Sequence, residues 1–207
     1  MLEVSNLTKC YNGRPVLEDV CCCVSPGQSM VVAGPNGCGK STFLRLVAGL
    51  ARPTAGEIRW ELDGQVLAKG EVADHLGFVS PELGLYDHLT AREHLSFFAD
   101  LWGLEQSRVD ELLNFVQLAQ YETLVGQYSS GMRQRVKLAC ALVHNPEILI
   151  LDEPCSNLDQ EGIVLVDRII QQQLARGLVL LATNDAGEVA RYGEVLLSLD
   201  EKAAGTD

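Results

Sequence analysis

The chain has 207 residues, 47% of them hydrophobic, with 28 acidic against 16 basic side chains and a net charge of −12. This is enough apolar material for one large core or two small ones, and the acidic balance argues against nucleic acid as a partner held by attraction to phosphate backbones. No apolar stretch approaches the roughly 18 residues of a membrane span, and the start, "MLEVSNLTKC", lacks the basic-then-apolar order of a secretion signal, so a cytosolic globule is expected.

In chain order, "LEVSNLTKCY" (2–11), "VLEDVCCCVS" (16–25) and "GEIRWEL" (56–62) are strand-like and punctuated by turns, which predicts a small antiparallel sheet at one side. The seven cysteines are odd in number and show no C-x-x-C spacing, so neither a disulfide framework nor a zinc site is suggested. Cys21 to Cys23 read as buried small hydrophobes in a reducing compartment, because adjacent strand residues face opposite ways and cannot converge on one metal. Four further runs, "SMVVAG" up to Gly34, "LGFVS" before Pro81, "EILILDE" around Leu149 and "GLVLLAT" ending at Thr183, are continuously apolar. Strands of that kind are buried on both faces of a parallel sheet, and helical patterns lie between them, giving an α/β layout. Within it, "HLTAREHLSFFADLW" opens with Thr90 and Glu93 at capping-box spacing, and "QSRVDELLNFVQLAQ" has Ser107 and Asp110 at the same spacing. Two helices with no clear strand between them predict a helical lobe over roughly residues 84–128, inserted in a single domain spanning the chain. The tail "DEKAAGTD" reads as disordered.

"AGPNGCGKST" fits G-x-x-x-x-G-K-[ST] from Gly34 to Ser41, and it follows a strand and precedes a helix as that motif requires. Its candidate nucleotide-binding residues are Gly34, Pro35, Asn36, Gly37, Cys38, Gly39, Lys40, Ser41 and Thr42, with the Cys38 side chain expected to point elsewhere. The glycines let backbone N–H groups turn toward phosphate oxygens, Lys40 can reach the β and γ phosphates of a nucleotide, and the Ser41 hydroxyl can ligate Mg²⁺, a pattern that fits an NTPase or a kinase without choosing. "EILILDEP" then ends a buried strand in Asp152, suited to holding the water shell of the magnesium, and Glu153, placed to orient and deprotonate an attacking water.

Together these motifs, with "YSSGM" at Tyr128 to Met132, resemble a nucleotide-binding subunit of the ATP-binding cassette (ABC) superfamily over essentially the whole chain. The resemblance implies a P-loop NTPase fold: a mostly parallel sheet core, an N-terminal antiparallel β subdomain and the inserted α-helical lobe. It further implies that Ser129 and Gly131, at the head of a helix, bind the γ-phosphate of an ATP held by the phosphate loop of a second subunit, so that two chains form a head-to-tail dimer. A helix start with free N–H groups and no Cβ at Gly131 suits an anion without a charged side chain. By the same resemblance Tyr11 falls where an aromatic ring stacks on adenine, and Asp159, in "SNLD", would run along the dimer seam.

Two positions depart from the family pattern. Pro81 stands where a glutamine usually links magnesium to the membrane partner, and proline has neither N–H nor polar side chain, so the neighbouring Glu82 could substitute only by a shift of register. Asn184 stands at the switch histidine; its amide can donate to a phosphate oxygen but cannot carry charge or pass a proton, which predicts slow hydrolysis. Phe97, Phe98 and Trp102 lie where such cassettes grip a permease helix, or they fill the core of the lobe. The leading expectation is the ATPase of a transporter on the inner face of the cell membrane, working with an integral membrane permease and a second, similar ATPase; its brevity is similar to small exporters, including the haem-exporter type of cytochrome c maturation. The alternatives are a soluble ATP-dependent clamp of the iron–sulfur scaffold type and a weakly hydrolysing regulator.

Overall fold

The computed structural model describes residues 1–68, 70–120 and 122–199; the tail read as disordered lies outside them. The elements run β1 (Leu2–Tyr11), β2 (Arg14–Val24), β3 (Ser29–Ala33), α1 (Lys40–Val47), β4 (Ala55–Leu62), β5 (Gln65–Val66), β6 (Leu76–Val79), α2 (Ala91–Leu101) and α3 (Gln106–Phe115). They continue with α4 (Ser130–Ala141), β7 (Ile148–Asp152), α5 (Gln160–Leu174), β8 (Leu178–Thr183), α6 (Ala186–Tyr192) and β9 (Val195–Ser198). Short 3₁₀ turns cover Val72–His75 and Val125–Gln127.

Two sheets result. The N-terminal one is antiparallel in the order β2-β1-β4-β5. Its two hairpins turn on Asn12-Gly13 (φ 51° and 76°) and Asp63-Gly64 (φ 49° and 78°), residue pairs that tolerate the left-handed backbone a two-residue hairpin loop demands. The second sheet is wholly parallel, β6-β7-β8-β3-β9. The unbroken apolar runs have their explanation there, because alternate residues of one strand enter different cores. Leu149 and Leu151 of β7 join the core beneath α2 to α5, while Ile148 and Ile150 join the core that contains α1 and the antiparallel strands. Trp60 fastens that second core: its ring is buried, and Nε1 donates to the carbonyl of Val47, at the end of α1, at 2.8 Å.

Three expectations need correction. Thr90 and Glu93 do form a reciprocal capping box, but Ser107 and Asp110 do not. Helix α3 starts one residue before Ser107, with Glu105 as its cap residue, and the Asp110 carboxylate is drawn instead to Arg92 of α2 at 2.6 Å. Cys21 and Cys23 are exposed rather than buried, since β2 is the outermost strand of its sheet and those positions face away from the core. Only Cys22 turns inward, and burial pushes its thiol up to about 12. Phe97 is 60% exposed, whereas Phe98 packs against the core and Trp102 stacks on His144 with ring centroids 4.5 Å apart.

Candidate functional site

The parallel sheet brings three separate sequence motifs to one edge. β3 ends at Ala33 and passes into the loop 34–39; β7 ends at Asp152, beside Glu153; β8 ends at Thr183, beside Asn184. Because β7, β8 and β3 are adjacent and parallel, their C-terminal ends converge, which is where open α/β sheets place ligands.

The loop 34–39 is built for close backbone approach. Gly34, Gly37 and Gly39 have φ of 154°, 85° and 109°, and a Cβ on Gly39 would stand 2.9 Å from Leu17 Cδ2 and 3.1 Å from Val16 Cγ1. Cys38 is buried, and its Sγ lies where a Cβ on Gly34 would fall, at 2.7 Å. Its thiol thus packs against the Gly34 backbone. Lys40 is buried at the head of α1, and its ammonium donates to the carbonyls of Gly34 (2.7 Å) and Pro35 (3.0 Å). A buried ammonium whose hydrogen bonds among the described residues go to neutral carbonyls is poised to take phosphate oxygens in their place.

Asp152 is buried and hydrogen-bonded to Ser41; burial raises its carboxyl above the usual range, opposed by that hydrogen bond and by the charges of Arg45 and Lys40. Among the described residues no cluster of three His, Cys, Asp or Glu could hold a metal by itself. The Ser41 hydroxyl and Asp152 carboxylate supply two hard oxygens on one side only, a fit to Mg²⁺ that keeps most of its ligands as water and nucleotide phosphate.

Glu153 adopts the left-handed backbone, φ 49°, and its N–H donates to Ala182 O at 2.9 Å. Asn184 is exposed, and its Nδ2 donates to Asn36 Oδ1 at 2.9 Å, so the loop after β8 is tied directly to the phosphate loop. Pro81 leaves its own position without a polar side chain, and two other groups hold that loop. Lys137 of α4 donates to the carbonyls of Ser80 (3.2 Å) and Pro81 (2.9 Å), and Glu82 pairs with Arg45 of α1. Glu82 is therefore directed at the phosphate-loop helix, not at the Ser41–Asp152 edge.

Ser129 and Gly131 are not part of this assembly. Ser129 caps α4, accepting from Met132 N at 3.2 Å, and both residues line a separate cavity of about 470 Å³ with Arg135, Asn157 and Asp159. That cavity contains no residue of the loop 34–42. Arg135 went unread in the sequence, although it lies one helical turn after Gly131; its guanidinium reaches Asp159 at 3.5 Å with only 11% of the side chain exposed. Tyr11, at the tip of the first hairpin, is 46% exposed beneath the Lys9 ammonium, 4.7 Å from the ring centre. A third concavity, about 380 Å³, is apolar and lined by Leu83, Leu85, Tyr86, Leu89, Phe97 and Phe98.

Comparison with known proteins gives a uniform answer. The sequence profile of the ABC transporter family matches residues 17–156. The bacitracin transport ATP-binding protein BcrA of Bacillus licheniformis is 38% identical over 173 residues, covering 82% of this chain and 56% of the relative. A Rhodococcus jostii Fe(3+) ions import ATP-binding protein, FbpC 2, is 36% identical, covering 93% of this chain and 58% of its own length. The chain thus spans little more than half of either relative. The lantibiotic transport ATP-binding protein SrtF of Streptococcus pyogenes, 33% identical, is covered over 80% of its length and covers 89% of this chain. Among solved structures, an ATP-binding subunit of an ABC transporter superposes with a TM-score of 0.85 at 32% identity, covering all of this chain and 90% of its own. A dimeric post-hydrolysis state of the cassette MJ0796, bound to ADP and Pi, superposes at 0.82 and 28% identity over 96% and 94% of the two chains.

Proposed function

This chain belongs to the ABC transporter family, and from that membership we propose that it is the ATP-hydrolysing subunit of a transporter, driving a separate membrane permease through an ATP-dependent head-to-tail dimer. The observation that carries the proposal is the separation within one chain of two surfaces, each with a helix start suited to an anion: the loop 34–42 at the sheet edge, and the cavity holding Ser129 and Gly131. Neither is complete alone, and a second copy turned head to tail would oppose the one to the other.

In that arrangement Gly34 to Gly39 would wrap the phosphates with backbone N–H groups, Lys40 would exchange its loop carbonyls for phosphate oxygens, and Tyr11 would lie against the base. Ser41 and Asp152 would hold Mg²⁺, which when bound neutralises the charge that develops on the phosphates. Ser129 and Gly131 of the opposite copy would close on the terminal phosphate, with Asp159 along the seam. Glu153 would take a proton from the attacking water as its oxygen bonds to phosphorus and the bond to ADP breaks. Asn184 would donate to the terminal phosphate after leaving Asn36, as a neutral donor where the family usually has an imidazole. Closure moves the permease and hydrolysis releases it.

No helix among the described residues is long and apolar enough to cross a membrane; in the proposed reading the permease docks in the apolar groove around Tyr86 and Phe97 on the inner face of the membrane. Affinity capture from solubilised membranes with Glu153→Gln tests this: co-purification of an integral membrane protein in an ATP-dependent manner is expected. Recovery of a soluble assembly alone would favour a clamp over a transporter subunit.

A further inference from the structure

The start of α6 carries a carboxylate that the proposed function leaves unused. Asp185 caps this helix, its Oδ1 accepting from the N–H of Glu188 at 2.9 Å. The two residues stand at capping-box spacing, and in a reciprocal box the glutamate side chain folds back onto the N–H of the cap residue. Here that N–H goes to Thr183 Oγ1 instead, at 3.0 Å. The Glu188 side chain turns inward, where burial raises its carboxyl above the usual range against the opposing hydrogen bonds of the Thr183 hydroxyl and the Cys155 thiol, and its Oε2 is buried with no hydrogen-bond partner among the described residues. A buried acceptor left open costs about 1–3 kcal/mol, so its position needs a reason.

Glu188 faces a polar cavity of about 200 Å³ whose other walls include Glu153, Cys155, Thr183 and Asn184. A space of that size and polarity holds several waters, each needing protein partners. The same cavity borders the one catalytic side chain that its own loop holds loosely. Glu153 has an unfavourable left-handed backbone, and among the described residues its carboxylate accepts only a long bond from the exposed Ser156 hydroxyl, 3.3 Å. Burial, with the charges of Glu188 and Asp167 close by, pushes the Cys155 thiol up to about 12, so it remains a protonated donor.

We propose that Glu188 is a positioning residue for Glu153: it braces the segment after β7 against the end of β8 through Cys155 and Thr183, and through water on its free oxygen it orients the Glu153 carboxylate. This rests on Glu153 being the base of an ATPase. The two carboxylates come from sequence-distant segments, the turn after β7 and the first turn of α6, that meet only when β7 and β8 pair, so the arrangement couples the base to the loop that carries Asn184.

The test is steady-state ATP hydrolysis by Glu188→Gln, Glu188→Asp and Cys155→Ala, with thermal melting of each, and the Gln change repeated in Glu153→Gln. Glu188→Gln should lower kcat roughly 10- to 100-fold with the KM for ATP within about twofold, as expected for a displaced reacting group. Glu188→Asp should recover part of that loss, and the Glu153→Gln background should show no further fall. Cys155→Ala reads the same brace if the Glu188 variant does not fold, and should lower kcat at unchanged KM. Wild-type turnover in Glu188→Gln or Cys155→Ala, or an equal fractional loss with and without Glu153, would overturn the assignment. Absence of hydrolysis by the unsubstituted protein would instead overturn the ATPase reading beneath it.

Discussion

Asn184, which by the sequence resemblance stands at the family's switch histidine, gives the sharpest chemical prediction. In the structure it makes one exposed hydrogen bond, 2.9 Å to Asn36, so Asn184→Ala should cost at most about 1 kcal/mol of folding stability. In catalysis the same amide would face a charged phosphate, where a hydrogen bond contributes about 1.5–3 kcal/mol. At about 1.4 kcal/mol per decade, kcat for Asn184→Ala should fall roughly 10- to 150-fold while the KM for ATP changes little. Asn184→His, which restores a side chain able to carry charge, should raise turnover above the native rate. Both effects can be read by continuous phosphate release under saturating ATP and magnesium, with melting curves alongside. Native turnover in Asn184→Ala, or an unchanged or lower rate in Asn184→His, would show that this side chain does not serve the terminal phosphate.

Further outcomes are expected at other positions. Gly39→Ala forces a side chain into φ 109° and to within 2.9 Å of Leu17; equilibrium binding of a fluorescent ATP analogue should be lost while circular dichroism stays native. Trp60→Ala removes a buried ring and its bond to Val47, and should cost about 3–5 kcal/mol by urea denaturation; a cost under 1 kcal/mol would mean the antiparallel sheet is not fastened there. Thr90→Ala should destabilise the protein by about 1 kcal/mol at neutral pH. The Glu93 carboxyl is held below its usual range by hydrogen bonds from the Thr90 backbone and hydroxyl, so this box contributes above the ordinary glutamate value and is lost as pH falls through the lower folded value. The difference between native protein and Thr90→Ala should therefore shrink on acidification, and a difference that grows would contradict the assignment.

The gathering of the phosphate loop, Asp152 and Glu153 at one sheet edge was legible because each is a local pattern at the end of a strand, and those strands announced themselves as unbroken apolar runs. The antiparallel sheet was legible for a similar reason, although the Asn12-Gly13 and Asp63-Gly64 turns that fix its hairpins passed unused. What sequence could not reveal arises from packing between distant segments. Asp110 had the spacing of a cap but was claimed by Arg92 on the neighbouring helix. Cys21 and Cys23 had the composition of core residues but fall on the outermost strand. Arg135 and Glu188 each carry a weak signal, one turn after Gly131 and at cap spacing from Asp185. Their inward orientation exists only once α4 lies beside Asp159 and β8 beside β7.

The central claim is that one nucleotide is enclosed by the loop of one copy and the α4 start of another. Light scattering of Glu153→Gln, saturated with ATP and magnesium, measures this directly. A mass of twice the 22.5 kDa chain is predicted, reverting to a monomer when Ser129 is also replaced by a bulky residue. A persistent monomer, or a dimer indifferent to both ATP and Ser129, would contradict the account.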